Sequence, residues 1–188
     1  MIMWLLSLIS FLLLGGYLFL LAMRFGIPDM VSDTYYQLQG CVGSEVIGDK
    51  RKRKYGAVFT AIMILVGGLM MVCLLDSEQG VQCLAFTGCA GLCFVGIAPN
   101  YIDRDVYPIH KGGAIVAAVG CVGWCLSICL WITLAVGVVY LLYLLYADIT
   151  RKANDMWHIS NATPKFHPWY WAEVTGFLDV FLTYWICV

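Results

Sequence analysis

Charge is the scarcest property of this sequence: Asp, Glu, Lys and Arg make up 12% of its 188 residues, about half the roughly 25% usual in a soluble domain. That shortage excludes an ordinary water-facing surface over most of the chain. Proline is scarce too, with 5 residues, and no Pro/Ser-rich linker, low-complexity tract or internal repeat divides the sequence. A single domain is expected.

What fills the chain is apolar: 62% of residues are hydrophobic and the mean hydropathy is +0.83. A helix that crosses a bilayer needs roughly 20 apolar residues, with a range of about 17–25. Such runs occupy residues 1–23, 57–76, 81–98, 112–147 and 169–187. The run 112–147 is long for one span and just long enough for two. The basic residues decide between the two readings, because cytoplasmic loops collect Lys and Arg. All 11 fall in three segments: Arg24 and Lys50 to Lys54, then Arg104 and Lys111, then Arg151, Lys152 and Lys165. If 112–147 is a hairpin of two helices turning near Ser127–Thr133, the three segments share one side. The expected fold is therefore all-α, a polytopic membrane helical bundle of six transmembrane helices. The spans lie at about 1–23, 57–76, 81–98, 112–128, 131–147 and 169–187. Both termini are expected on the non-cytoplasmic side, with the polar loops cytoplasmic. The first run has no basic leader and no small-residue cleavage site before Arg24, so it reads as a retained span.

Nine cysteines raise the question of a metal site or a disulfide framework. Cys121, Cys125 and Cys129 recur every four residues, in register with Gly113 and Ala117, and so share a helix face. Ala85, Cys89 and Cys93 form a similar stripe, with Gly88, Gly91 and Gly96 nearby. Small residues at this spacing let membrane helices approach closely, and packing is the expected role. Cys41 falls on the reducing side in this topology, while Cys187 lies near the outer face.

Polar groups concentrate in three loop segments, all placed on the cytoplasmic face. The first carries Asp29, Ser32 and Asp33. The second carries Asp103, Asp105 and His110. The third carries His158 and His167. Carboxylates and imidazoles together can hold a divalent metal or share a proton; polar and aromatic residues at a membrane interface also serve simply as anchors. No His-x-x-x-His or Glu-x-x-His pair is present. Lys50 to Lys54 reads as a topology determinant or a headgroup contact, and no nucleic-acid partner is expected. Asn161, which opens a glycosylation sequon, would lie on the wrong side for glycosylation.

The last span holds Glu173 near its first turn and Asp179 near its middle. An ionisable group within a span costs about 2.5–3.5 kcal/mol and marks a functional or paired polar position. Six residues separate the two, so they point to different helix faces. Ser127, Thr133 and Trp124 are the expected partners of Asp179.

The segments Ile27–Asp33 and Gly88–Pro99, with His110 following, resemble the six-span bacterial membrane family called domain of unknown function 998. More distantly they resemble autophagy-modulator and GPI-lipid-remodelling membrane proteins. The resemblance covers the first two-thirds of the chain. It implies distant kinship with ceramidase-like membrane hydrolases, which use Ser, Asp and three His around zinc. Only Ser32, Asp33 and His110 match that pattern, and the last helix here contains no His.

Three functional readings follow. The leading one is a lipid- or small-ligand-binding membrane protein without catalysis, its ligand residues drawn from Asp179, Glu173, Asp103 and Asp105. Membrane lipids are its expected partners, and no cofactor is expected. The second is a metal-dependent lipid hydrolase with Ser32, Asp33 and His110 as catalytic candidates and His110, His158 and His167 as zinc ligands. The third is a transporter or channel subunit built on Asp179.

Overall fold

The structure, a computed structural model, describes residues 2–39, 55–150 and 166–188. His158, Lys50 to Lys54 and the Asn161 sequon lie outside the described residues. Among the described residues the chain is all-helical. Helix α1 spans Ile2–Phe25, and a 3-10 turn at Val31–Asp33 leads into the short α2 at Thr34–Gln39. Then come α3 (Gly56–Asp76), α4 (Gln82–Ile97), α5 (Tyr107–Ile128), α6 (Leu130–Thr150) and α7 (Pro168–Cys187). Four of them, α1, α3, α5 and α6, are long and apolar enough to cross a membrane, and α4 is a shorter apolar helix.

The helix ends follow from local chemistry. Gly26 takes φ +83° and donates its N–H to the Ala22 carbonyl at 3.0 Å, which stops α1 in the left-handed conformation glycine tolerates. Pro99 bars continuation of α4. Pro108 and Pro168 sit in the first turns of α5 and α7, where a missing N–H is harmless. The long apolar run divides at Cys129, which is extended (φ −146°, ψ 96°) while its N–H still closes the last turn of α5.

Alternating steps of three and four residues create the first interface. Ser7, Ser10, Leu14, Tyr17 and Leu21 form the buried stripe of α1, and Phe59, Met63, Val66, Met70 and Cys73 form that of α3. Steps averaging 3.5 residues keep one seam facing a partner helix along its length. Helix α4 lies between α3 and α5. Against α5 it packs backbone to backbone: a Cβ on Gly88 would stand 2.6 Å from the Cys121 nitrogen, and one on Gly91 would stand 2.5 Å from the Ala117 nitrogen. The small-residue stripes thus occupy the closest helix contact in the fold. Helix α7 closes the bundle, meeting α5, α6 and α1. Its Phe181 and Trp185 pack on Phe11 with ring centroids 5.3 and 5.0 Å away. Helix α6 is the loosest member, with only Ala147 buried.

The bundle has two unlike ends. At one, the 77–81 turn docks on α5: Trp124 Nε1 donates to the Gln79 carbonyl at 3.1 Å, and Val81 N–H donates to Ser127 Oγ at 3.0 Å. The other end holds the 3-10 turn, α2 and the 98–106 loop. Among the described residues its basic groups are Arg24, Arg104 and Lys111, and all basic residues described lie at this end.

Candidate functional site

The 3-10 turn organises the polar end. Its first N–H, on Val31, would be buried without a partner. Glu173, in the first turns of α7, supplies one: its Oε2 accepts the Val31 N–H at 2.6 Å. Asp33 fastens the same turn from within, its Oδ2 accepting the Met30 N–H at 3.0 Å, while its Oδ1 accepts the Tyr101 hydroxyl from the 98–106 loop. Burial raises the Asp33 carboxyl above its ordinary value; the Met30 bond opposes this and the nearby Asp29 charge adds to it. Tyr17 donates to Thr34 Oγ1 at 2.8 Å, and Thr34 donates to the Val31 carbonyl at 2.6 Å. Tyr36 donates to Asn100 Oδ1 at 3.3 Å and accepts the Ile102 N–H at 2.9 Å. These bonds tie α1, α2, the 98–106 loop and α7 into one network.

His110 is buried and its Nδ1 lies 2.8 Å from the Ala98 carbonyl. A carbonyl only accepts, so Nδ1 carries the proton and the neutral ring keeps its lone pair on Nε2. The ring packs on Tyr101 with centroids 5.0 Å apart. His110 therefore joins Asp33 through Tyr101 rather than by direct contact. His167, with left-handed backbone (φ 41°), reaches Asp29 at 3.2 Å; Asp29 is 77% exposed, and pairs this exposed contribute little. Ser32 is buried within the turn. Asp103 and Asp105 are exposed, and Asp103 Oδ1 accepts the Asp105 N–H at 3.1 Å, a local turn contact. Among the described residues no three His, Cys, Asp or Glu side chains gather closely enough to share a metal ion. Of the sequence-predicted metal ligands, only His110 and His167 are described.

The second polar site is internal. Asp179 is 3% exposed. Thr133 of α6, Cys125 of α5 and Thr183 of α7 are the polar side chains beside its carboxyl. Of the three expected partners only Thr133 is in place. Trp124 and Ser127 are engaged at the 77–81 turn instead, because their positions on α5 point them to the bundle end. Cys125 and Thr183 were missed by sequence reasoning, although Thr183 follows Asp179 by four residues and shares its face. The match is imperfect: Thr133, Cys125 and Thr183 lie close enough to donate to the Asp179 carboxyl, yet Asp179 Oδ1, Thr133 Oγ1 and Thr183 Oγ1 are all buried without a well-aligned hydrogen bond. Glu173 and Asp179 serve different neighbours, as their angular separation requires.

Tyr101, Tyr17 and Tyr36 were also missed. Tyr36 and Tyr101 each adjoin a polar segment, which reads equally well as interface decoration, and Tyr17 lies within the first apolar run, where nothing marks it. No protein-family model matches the chain, and no curated protein and no solved structure matches it.

Proposed function

We propose that this chain is an integral membrane protein of six spans that binds a small ammonium-bearing ligand at Asp179. The observation that carries the proposal is a buried carboxylate ringed by hydroxyls: Asp179 Oδ1, Thr133 Oγ1 and Thr183 Oγ1 are all buried and none is held in a well-aligned hydrogen bond, although both threonines lie close enough to donate to the carboxyl. A primary ammonium offers three N–H donors and one positive charge, which answers both the carboxylate and the hydroxyls. Buried polar atoms are normally held in well-aligned hydrogen bonds, and a carboxylate with two hydroxyls beside it, none so held, supports a ligand that brings its own donors. The same reading makes the carboxyl's position within a span intelligible.

The six-span topology is supported by the alternation of helix ends and by the clustering of Arg24, Arg104 and Lys111 at one end, which the positive-inside rule makes cytoplasmic. Both termini then face the other side. The polar end is read as an anchored cap, because Glu173 and Asp33 spend their oxygens on Val31, Met30 and Tyr101.

The test is a titration of purified protein in detergent with methylammonium chloride, read as the thermal unfolding midpoint, with sodium chloride at matched ionic strength as control. Ligand that binds only the folded state raises the midpoint. A rise in the parent that Asp179→Asn abolishes supports the reading. Equal behaviour of parent and Asp179→Asn sinks it.

A further inference from the structure

Helix α6 starts at the end that carries the 77–81 turn, and α7 starts at the polar end. The two run antiparallel, so equal steps from one contact between them reach residues at the same level. That contact is Tyr143 on Trp171, with ring centroids 6.2 Å apart. Six residues back along α6 stands Gly137, and five forward along α7 stands Gly176. Ten back and eight forward stand Thr133 and Asp179. Each glycine shares a helix face with the polar residue beyond it, at a spacing of four on α6 and three on α7. Toward the polar end the helices are tied again, where Tyr140 donates to the Pro168 carbonyl at 3.0 Å.

Between the Tyr140 bond and the Asp179 layer the two helices leave room. A Cβ on Gly137 or on Gly176 would meet nothing within 4 Å. Gly88 and Gly91 on α4 are the opposite case, pressed against the backbone of α5. Small residues on membrane helices normally let backbones close up; at Gly137 and Gly176 they do not, so they are not a packing seam. Both glycines are half-exposed, as is Ala172 one turn further toward the polar end. The bare backbone forms a groove that ends at Asp179, which is 3% exposed and whose Oδ1 is in no well-aligned hydrogen bond. From Pro168 to Asp179 the groove runs about 16 Å along the helix axis.

We propose that the ligand of Asp179 is a single-chain aliphatic primary amine, with its ammonium at the carboxyl and its alkyl chain along the groove between Gly137 and Gly176. The proposal rests on the ammonium site argued above and adds the class of its ligand. The ammonium meets the carboxylate charge and the hydroxyls beside it. The chain lies on helix backbone whose polar groups are already satisfied within each helix, a surface that suits hydrocarbon. The ligand carries no phosphate. Among the described residues Arg24, Arg104 and Lys111 all lie at the polar end, so a phosphate next to the amine would be buried beside a carboxylate with no cation to meet it. Because the groove is half-exposed along the span, such an amine reaches Asp179 sideways from the bilayer.

The experiment irradiates purified protein in phosphatidylcholine vesicles with dodecylamine that carries a diazirine on its chain, and maps the adducts to peptides. Adducts are expected on residues 133–140 of α6 and 172–176 of α7, and they should be lost in Asp179→Asn. Dodecanol with the same diazirine should label these segments no more than it labels the exposed faces of α1 and α3. Gly176→Leu fills the groove and should lose the amine-specific adducts on α6. Gly15→Leu, on α1 where a Cβ also meets nothing within 4 Å, should keep them. Equal labelling by amine and alcohol overturns the inference on the parent protein alone, and so does labelling that Asp179→Asn leaves unchanged. The methylammonium titration separates the two readings. A midpoint rise that needs Asp179, without amine-specific adducts in the groove, overturns the alkyl-chain ligand and leaves the ammonium site standing. Neither a rise nor amine-specific adducts overturns both.

Discussion

Glu173 and Val31 lie 142 residues apart in sequence, yet Glu173 Oε2 accepts the Val31 N–H at 2.6 Å. The bond joins the last helix to the turn that follows the first, with the Ser32 amide beside it as the next donor. A carboxylate at the start of a helical segment satisfies donors that the helix itself cannot. The acidic residue in the first turns of α7 is thus a cap acting across the bundle.

Removing that cap exposes the Val31 donor to a site with no acceptor. An unmatched buried N–H costs about 1–3 kcal/mol. Glu173→Ala should lower stability by about that amount, whereas Glu173→Gln keeps an acceptor oxygen and should lose less. Thermal unfolding in detergent compares the two directly. Equal losses would show that the Val31 bond is not what Glu173 provides.

Asp33 predicts a pH dependence. Burial lifts its carboxyl above the ordinary value of 3.8; the Met30 N–H bond pulls against this and the Asp29 charge adds to it. The folded chain therefore holds this proton to higher pH than the unfolded chain. Stability must fall as pH rises from 3.8 through the folded value, and stay reduced above it. Asp33→Asn should remove that part of the fall. Tyr101→Phe, which deletes a donor to the ionised carboxyl, should deepen it. Unfolding midpoints measured across this pH range supply the check, and parallel curves for parent and Asp33→Asn would refute it.

The elements legible in sequence are those set by local pattern. The apolar runs gave helices, and the stripe of Ala85, Cys89 and Cys93 with Gly88 and Gly91 nearby marked α4 as a helix that packs closely, whereas the seam between α1 and α3 was hidden because both runs are apolar on every face. The partners of polar groups were much less legible. Nothing local to Val31 says that its amide is met by Glu173, and nothing in the 98–106 loop says that Tyr101 rather than His110 reaches Asp33. Such pairings depend on how helix ends are juxtaposed, which hydropathy and charge counts do not encode. Asp179 shows the boundary clearly. Its oddity within an apolar run was visible, and Thr133 was among the partners expected. Yet Trp124 and Cys125 are adjacent on α5, and only the helix rotation decides which of them faces the carboxyl.

The α4–α5 contact sets a steric prediction. An added methyl at Gly88 or Gly91 meets backbone at 2.6 or 2.5 Å, and backbone cannot swing aside as a long side chain does. Overpacking of this kind costs about 1–3 kcal/mol, so Gly88→Ala and Gly91→Ala should each destabilise by that order. Gly137→Ala on α6, where nothing lies within 4 Å, should cause no loss. Detergent melts of the three variants measure this, and tolerance of Gly91→Ala would mean the helices are further apart than described.

Two buried threonines should respond to the same substitution with opposite signs. Thr34 is 1% exposed, accepts the Tyr17 hydroxyl at 2.8 Å and donates to the Val31 carbonyl at 2.6 Å. Thr34→Val keeps the shape and strands the Tyr17 donor, so it should cost about 1–3 kcal/mol. Thr183 is 0% exposed. Thr183→Val removes a desolvated hydroxyl that makes no well-aligned hydrogen bond, so the ligand-free protein should unfold at the same temperature or higher. If the three oxygens around Asp179 hold an ammonium, the same variant should also shrink the midpoint rise produced by methylammonium. A residue that is dispensable for folding but needed for that rise is what a ligand layer demands. A Thr183→Val variant that melts early, with its methylammonium response intact, would instead make Thr183 a packing residue.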